Sequence, residues 1–243
     1  MSARFANRRF APSLLGTALV VIGVAVFTSL GSWQLSRAEE KRALQALYDA
    51  GRETTVTLHI ENVDRLGRYQ HVRARGRFLS ERQVLLDNMP SASGRPGYRV
   101  LTPLELASGG IVLIDRGWVP MGDRRTLPNV AVSEEPRELS GRLDELPRPG
   151  LMLDDSAQGN DEETWPRLLN FPTHATIERA LGFAVARRIV LLDPSEPDGF
   201  ERAWDIRTQF GPERHIAYAV QWFAFAIVGV VIYLIVSLRK QET

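Results

Sequence analysis

His215, Tyr218 and Trp222 stand three and four residues apart, a spacing that sets an imidazole, a phenol and an indole on one face of an α-helix at 3.6 residues per turn. Such a face runs about 10.5 Å from His215 to Trp222, room for a large planar ligand lying along the helix. Neutral imidazole is inexpensive to desolvate, and it is the form that ligates haem iron. The same residues equally make an interfacial aromatic belt with a histidine among them, so the spacing admits both readings. Gly211-Pro212 just upstream forms a natural helix start and leaves His215 in the first turn.

A second group lies near the other end of the chain, in Gly31-Ser32-Trp33-Gln34-Leu35-Ser36-Arg37. Trp33 and Arg37 read as an interfacial anchor. Gln34 is an amide that needs a partner when buried, and it is predicted to hydrogen-bond across to a second span.

Convergent catalytic chemistry is missing. Ser91 and Ser93 have no G-x-S-x-G setting, no H-E-x-x-H spacing occurs, and Gly94-Arg95-Pro96-Gly97 is not a P-loop. His59, His71 and His174 are scattered and read as exposed strand or helix histidines. Cysteine is absent, which excludes a disulfide framework, a thiolate metal site and copper delivery through a cysteine pair. Asp115 and Arg116, in Asp115-Arg116-Gly117-Trp118-Val119-Pro120, read either as a charged functional pair or as a strand ending in a glycine turn. Trp118 there is either a core aromatic or a partner-facing ring. A net charge of +1 with both signs interleaved gives no sign of a nucleic-acid partner.

Two elements must position these groups. The uncharged run between Arg9 and Arg37, with 14–30 as its apolar centre, and the run 216–238 each exceed the ~20 residues that cross a hydrocarbon core, and the first continues well past the ~7–15 residues of a signal-peptide core. A mean hydropathy of −0.15 for the whole chain hides them behind the polar middle. Arg4, Arg8 and Arg9 before the first run and Arg239 and Lys240 after the second place both tails in the cytoplasm, against a weaker opposing bias from Arg37, Lys41 and Arg42. The expected organisation is a cytoplasmic tail (1–10), a first transmembrane helix (11–35), an extracytoplasmic domain (36–211), a second transmembrane helix (212–238) and a short tail (239–243).

In the middle, β-branched alternation predicts strands over 54–60, 71–79, 83–88, 98–106, 110–119, 137–146 and 188–192. One helix is predicted over 173–181, capped by Thr173 and ended by Gly182. The first helix continues outward as a charged stalk until Gly51, and the acidic stretch 147–165 reads as a surface loop. The fold class is a membrane protein whose two transmembrane α-helices flank one α+β domain, mainly antiparallel β and barrel-like.

Four motifs occur in a telling order: Gly31-Ser32-Trp33-Gln34-Leu35, Pro96-Gly97-Tyr98-Arg99-Val100-Leu101-Thr102-Pro103-Leu104, Asp115-Arg116-Gly117-Trp118-Val119-Pro120, and the segment 215–223. With the two anchors they resemble a bacterial member of the surfeit locus protein 1 family over nearly the whole length. The resemblance implies a non-enzymatic factor for assembly of haem-copper terminal oxidases, chiefly cytochrome c oxidase, acting at maturation of subunit I. It implies haem a as the bound group, with the family's haem-associated histidine matching His215 and its following tryptophan matching Trp222. On that basis the expected site has His215 as axial iron ligand, Trp222 and Tyr218 walling the porphyrin, and Gln34 and Trp33 closing the helix pair. Expected partners are oxidase subunit I, haem a synthase, other assembly factors and the lipid bilayer. With no mitochondrial transit sequence, the expected location is a bacterial inner membrane with the central domain in the periplasm. The competing expectation is a haem-free scaffold that holds a subunit I intermediate, using the turn at Trp118.

Overall fold

A computed structural model describes residues 8–87, 89–91, 93–122, 126–147, 164–170, 173–204 and 211–240. In chain order the first elements are β1 (Arg8–Phe10), α1 (Leu14–Ala50), β2 (Thr55–Thr57), β3 (His71–Phe78), β4 (Val84–Leu86), β5 (Gly97–Leu106) and β6 (Ile111–Pro120). They are followed by β7 (Arg137–Glu145), β8 (Arg167–Leu169), α2 (His174–Leu181), β9 (Arg188–Leu192), α3 (Pro212–Ser237) and β10 (Leu238–Lys240). The chain divides into two compact units, Met1–Gln45 with Asp205–Thr243, and Ala46–Trp204.

The first unit is a helix pair. α1 and α3 are each long and apolar enough to cross a membrane, and a helix satisfies every backbone group internally, as hydrocarbon demands. α3 starts on Gly211 as N-cap with Pro212 in its first turn, where a missing N–H costs nothing. β1 and β10 pair antiparallel, and Ala11 N–H donates to Ser237 C=O at 2.8 Å. Contacts then step along two antiparallel helices. The Thr17 and Tyr233 hydroxyls lie 2.7 Å apart, Phe27 stacks on Trp222, and Gly31 faces the Phe223 ring, which a Cβ would approach to 2.7 Å.

The second unit is built on one eight-stranded sheet in the order β2-β3-β7-β9-β6-β5-β4-β8, closed by a further β3–β5 pairing. Strands β3, β7, β9, β6 and β5 therefore form a ring, and five of the eight pairings in the sheet are antiparallel. The barrel-like, mainly antiparallel class expected from alternation holds. β3 shows why: Val72, Ala74 and Phe78 are buried and the arginines between them point out, the period-2 pattern of a half-buried strand. Inward residues of the ring make one core, with Phe78, Leu104, Ile114, Leu143 and Val190. A second core lies under α2, where Ile177 and Leu181 meet Leu86, Leu101 and Leu113. α2 begins on Thr173, whose hydroxyl accepts from Thr176 N–H at 3.1 Å, and ends on Gly182 in the left-handed region. The last turn of α1 is held by Arg142, which donates to Tyr48 C=O at 3.1 Å, a cation at a helix C-terminus.

Several expectations need correction. The strand predicted over 54–60 is only Thr55–Thr57, because Asn62 draws the chain into a turn by accepting from His59 N–H and donating to Thr57 C=O. β1, β8 and β10 went unpredicted. Each has three residues, too few to show a period. No strand ends at Gly117: it lies inside β6, with φ +109°. Arg99 faces Trp118 and Leu101 faces Asp115, so Arg116 and Gly117 stand against Val100 alone in a β-bulge. Residue 88 and most of the acidic stretch 147–165 lie outside the described residues.

Candidate functional site

The helix pair brings His215 and Gln34 together from opposite ends of the sequence, with Nδ1 at 2.8 Å from Gln34 Oε1. In the neutral ring a carbonyl oxygen at that distance requires the proton on Nδ1, which leaves the Nε2 lone pair as a donor for a metal. Among the described residues no side chain bonds Nε2. His215 lies in the first turn of α3. The interhelical role expected of Gln34 is met, and its partner is the candidate ligand itself.

Trp222, two turns on, packs toward α1. Its ring stacks on Phe27 with centroids 5.8 Å apart and planes 22° apart, and Phe225 meets both rings at 5.9 and 5.8 Å. Phe27 and Phe225 escaped the sequence reading, although Phe27 stands one heptad before Gln34 and Phe225 three residues after Trp222, the spacings that share a helix face. Tyr218 is 43 % exposed and Trp33 is 53 % exposed. Arg37 sits 5.9 Å over the Trp33 ring, the arrangement of an interfacial anchor. The pair thus gathers His215, Gln34 and Trp222, and leaves Tyr218 and Trp33 on its outer surface.

In the second unit Asp115 and Arg116 do not pair with each other. Asp115, fully buried, forms an ion pair with Arg99 and accepts from Gly117 N–H at 3.0 Å. Burial pushes its carboxyl above the usual range, against the opposing pull of the Arg99 guanidinium. Arg116, 1 % exposed, donates to Gln83 Oε1 at 2.9 Å and to the carbonyls of Val130 and Asp198 at 2.7 Å and Ala131 at 3.3 Å. Burial lowers its pKa to about 10, still a cation at neutral pH. Trp118 is 6 % exposed, covered by Arg95 at 4.9 Å, and donates its indole N–H to Met89 C=O. It is a core aromatic.

The remaining histidines have local partners or lie exposed. His71 is less open than expected, bonded through Nε2 to Asp193 at 2.6 Å and through Nδ1 to Thr55 at 2.9 Å. His174 Nε2 bonds Val185 C=O at 2.9 Å, and His59 is exposed. Among the described residues there is no cluster of three or more metal-binding side chains, so a single imidazole is the metal-binding chemistry the helix pair can offer.

The profile of the SURF1 family matches residues 21–227. A SURF1-like protein of Rickettsia felis is 27 % identical over 224 residues, covering 89 % of this chain and 94 % of that protein. A SURF1-like protein of Rickettsia bellii is 27 % identical over 241 residues, covering 92 % and 93 %. One from Rickettsia prowazekii is 25 % identical over 224 residues, covering 89 % and 87 %.

Proposed function

The chain belongs to the SURF1 family, a family linked to cytochrome oxidase assembly, and from that premise we propose that it helps deliver haem a to subunit I of a haem-copper terminal oxidase or insert it there. The observation that carries this reading is the Gln34 oxygen on His215 Nδ1. A histidine that ligates a metal through one nitrogen commonly gives its other N–H to an oxygen acceptor, which fixes the tautomer and raises the basicity of the ligating atom. Gln34 supplies that acceptor from the neighbouring helix. His215 Nε2 would then be the donor that holds the iron of the haem cargo, with Trp222 and Tyr218 placed to flank the ring and Trp33 at headgroup level. The haem brings the iron and a planar apolar ring; this chain holds it, orients it and shields it from water. A single imidazole suits a cargo that is handed on.

The arginines at both chain ends support cytoplasmic tails and a periplasmic Ala46–Trp204 unit in a bacterial inner membrane. Reporter fusions after Arg42 and after Thr243 should read outside and inside respectively, and an active cytoplasmic reporter at Arg42 would reverse the orientation. Haem a synthase is the natural source of the cargo and subunit I its destination.

The scaffold reading looked to Trp118 as a docking ring, and that ring is buried under Arg95. Haem on the detergent-purified chain separates the two. His215→Ala should lower bound haem about a hundredfold or change its axial-ligand spectrum, with Gln34→Ala smaller in effect, about tenfold. Haem retained on His215→Ala with an unaltered spectrum would remove ligation by His215 and leave the scaffold.

A further inference from the structure

We propose that the cleft between α1 and α3 binds the isoprenoid tail of the haem cargo, so that the helix pair prefers haems that carry such a tail. The proposal rests on the haem-cargo reading above and extends it from the iron to the hydrocarbon. The cleft has a volume of about 370 Å³ and is lined by Val20, Gly23 and Val24 on one helix and Ala226, Gly229 and Ile232 on the other. Phe27 and Phe225 form one of its ends, and the same two rings pack on Trp222. The cleft therefore begins where the aromatic group beside the His215 site ends. From Phe27 to Gly16 it follows the helix for about 16 Å, a space shaped for a chain.

The glycines in this cleft create room. At a tight small-residue helix crossing the backbones meet over the glycines, but a Cβ on Gly23 or Gly229 would meet nothing within 4 Å. Polar groups at the far end are already engaged: Ser13 Oγ accepts from Gly16 N–H at 3.0 Å, and the Tyr233 and Thr17 hydroxyls bond each other. What remains to be recognised is hydrocarbon. In a bilayer the tail gains no hydrophobic energy by leaving lipid. The preference must come from dispersion contacts with both walls and from tethering, because a macrocycle held at His215 presents its tail to the cleft at high local concentration.

Haem o carries the tail without the formyl group of haem a, and haem b carries neither. Titration of the full chain in nanodiscs should give binding of haem o and haem a roughly tenfold tighter than haem b. Gly229→Leu, and independently Gly23→Leu, should bring haem o within about twofold of haem b, leaving haem b affinity and its axial-ligand spectrum unchanged. If a leucine variant loses haem b as well, the milder Gly229→Ala must lower the haem o preference partially with haem b intact, and a preference untouched by alanine overturns the proposal. Equal affinity for haem o and haem b on the unaltered chain overturns the tail groove while the cargo reading stands. Failure of the unaltered chain to bind any haem overturns both. A phospholipid retained through native mass spectrometry and lost in Gly229→Leu, with the haem preference unmoved, assigns the cleft to membrane lipid and overturns the proposal as well.

Discussion

Arg116 in the barrel and His215 in the helix pair are both polar side chains hydrogen-bonded within their own unit, yet they end with opposite chemistry. The Arg116 guanidinium directs its donors to internal acceptors: Gln83, Val130, Ala131 and Asp198. His215 has one ring nitrogen engaged by Gln34, and the other has no partner among the described residues. A buried group whose bonding capacity is spent internally holds a fold together. A partly buried group with a lone pair left over, fixed in direction by its other bond, is equipped for a ligand. Residue type alone does not separate these roles, since the sequence left Asp115-Arg116 open between a charged functional pair and a strand ending in a glycine turn.

The largest effect that would break this contrast is expected at Arg116. Arg116→Met keeps the bulk but takes the Arg116 donor from the Asp198 and Ala131 carbonyls and leaves Gln83 Oε1 and Val130 C=O with only their bonds from Thr102 and Gln83, and should cost about 3–5 kcal/mol, read as a lower thermal midpoint of the detergent-solubilised chain. A loss under about 1 kcal/mol would mean that the network is not structural. Next comes Gly117, whose φ of +109° disfavours any side chain and whose Cβ would sit 2.7 Å from Glu201 C=O. Gly117→Ala should destabilise by about 2 kcal/mol in chemical denaturation, with the haem content of the folded fraction unchanged. Haem lost together with that stability would join the two regions into one functional unit.

Gln34→Leu sharpens the other side. It leaves His215 in place and removes the acceptor for its Nδ1 proton, so haem affinity should fall roughly tenfold while unfolding of the barrel is unmoved. Gln34→Glu, which keeps an acceptor, should restore most of the affinity. Affinity indifferent to both changes would show that Gln34 does not set the tautomer.

The smallest effect concerns pH at Asp115. Burial raises its folded pKa above the ~3.9 of an unfolded chain, so the folded state takes up a proton first. The carboxyl's contribution to stability is then fully present below about pH 3.9 and is lost as pH rises through the folded value. Asp115→Asn lacks this titration, and its stability deficit against the unaltered chain should widen as pH falls toward 4. A deficit that narrows would mean that the Arg99 ion pair outweighs burial.

Local rules carried much of this protein. The two spans follow from length and apolarity, because a bilayer demands both of a continuous segment. α2 was legible from Thr173 and Gly182, whose capping bonds lie within a few residues. The inward face of β3 was legible in the alternation of Val72, Ala74 and Phe78 with arginines. The same reasoning missed β8, whose ladder comes from β4, and took the bulge at Gly117 for a turn, because a glycine of positive φ suits either until the facing strand is known.

Of the site, sequence by itself determined that His215 and Trp222 share a helix face and that Gln34 sought a partner, since 3.6-residue periodicity and the cost of a bare amide are local matters. Tertiary structure decided who meets whom. The contact between His215 and Gln34 spans 181 positions, the β3–β5 pairing closes the ring, and Arg116 and Trp118 are turned inward. Periodicity specifies which face a side chain occupies; the neighbour across that face is set by packing and register between distant segments, which no local pattern encodes.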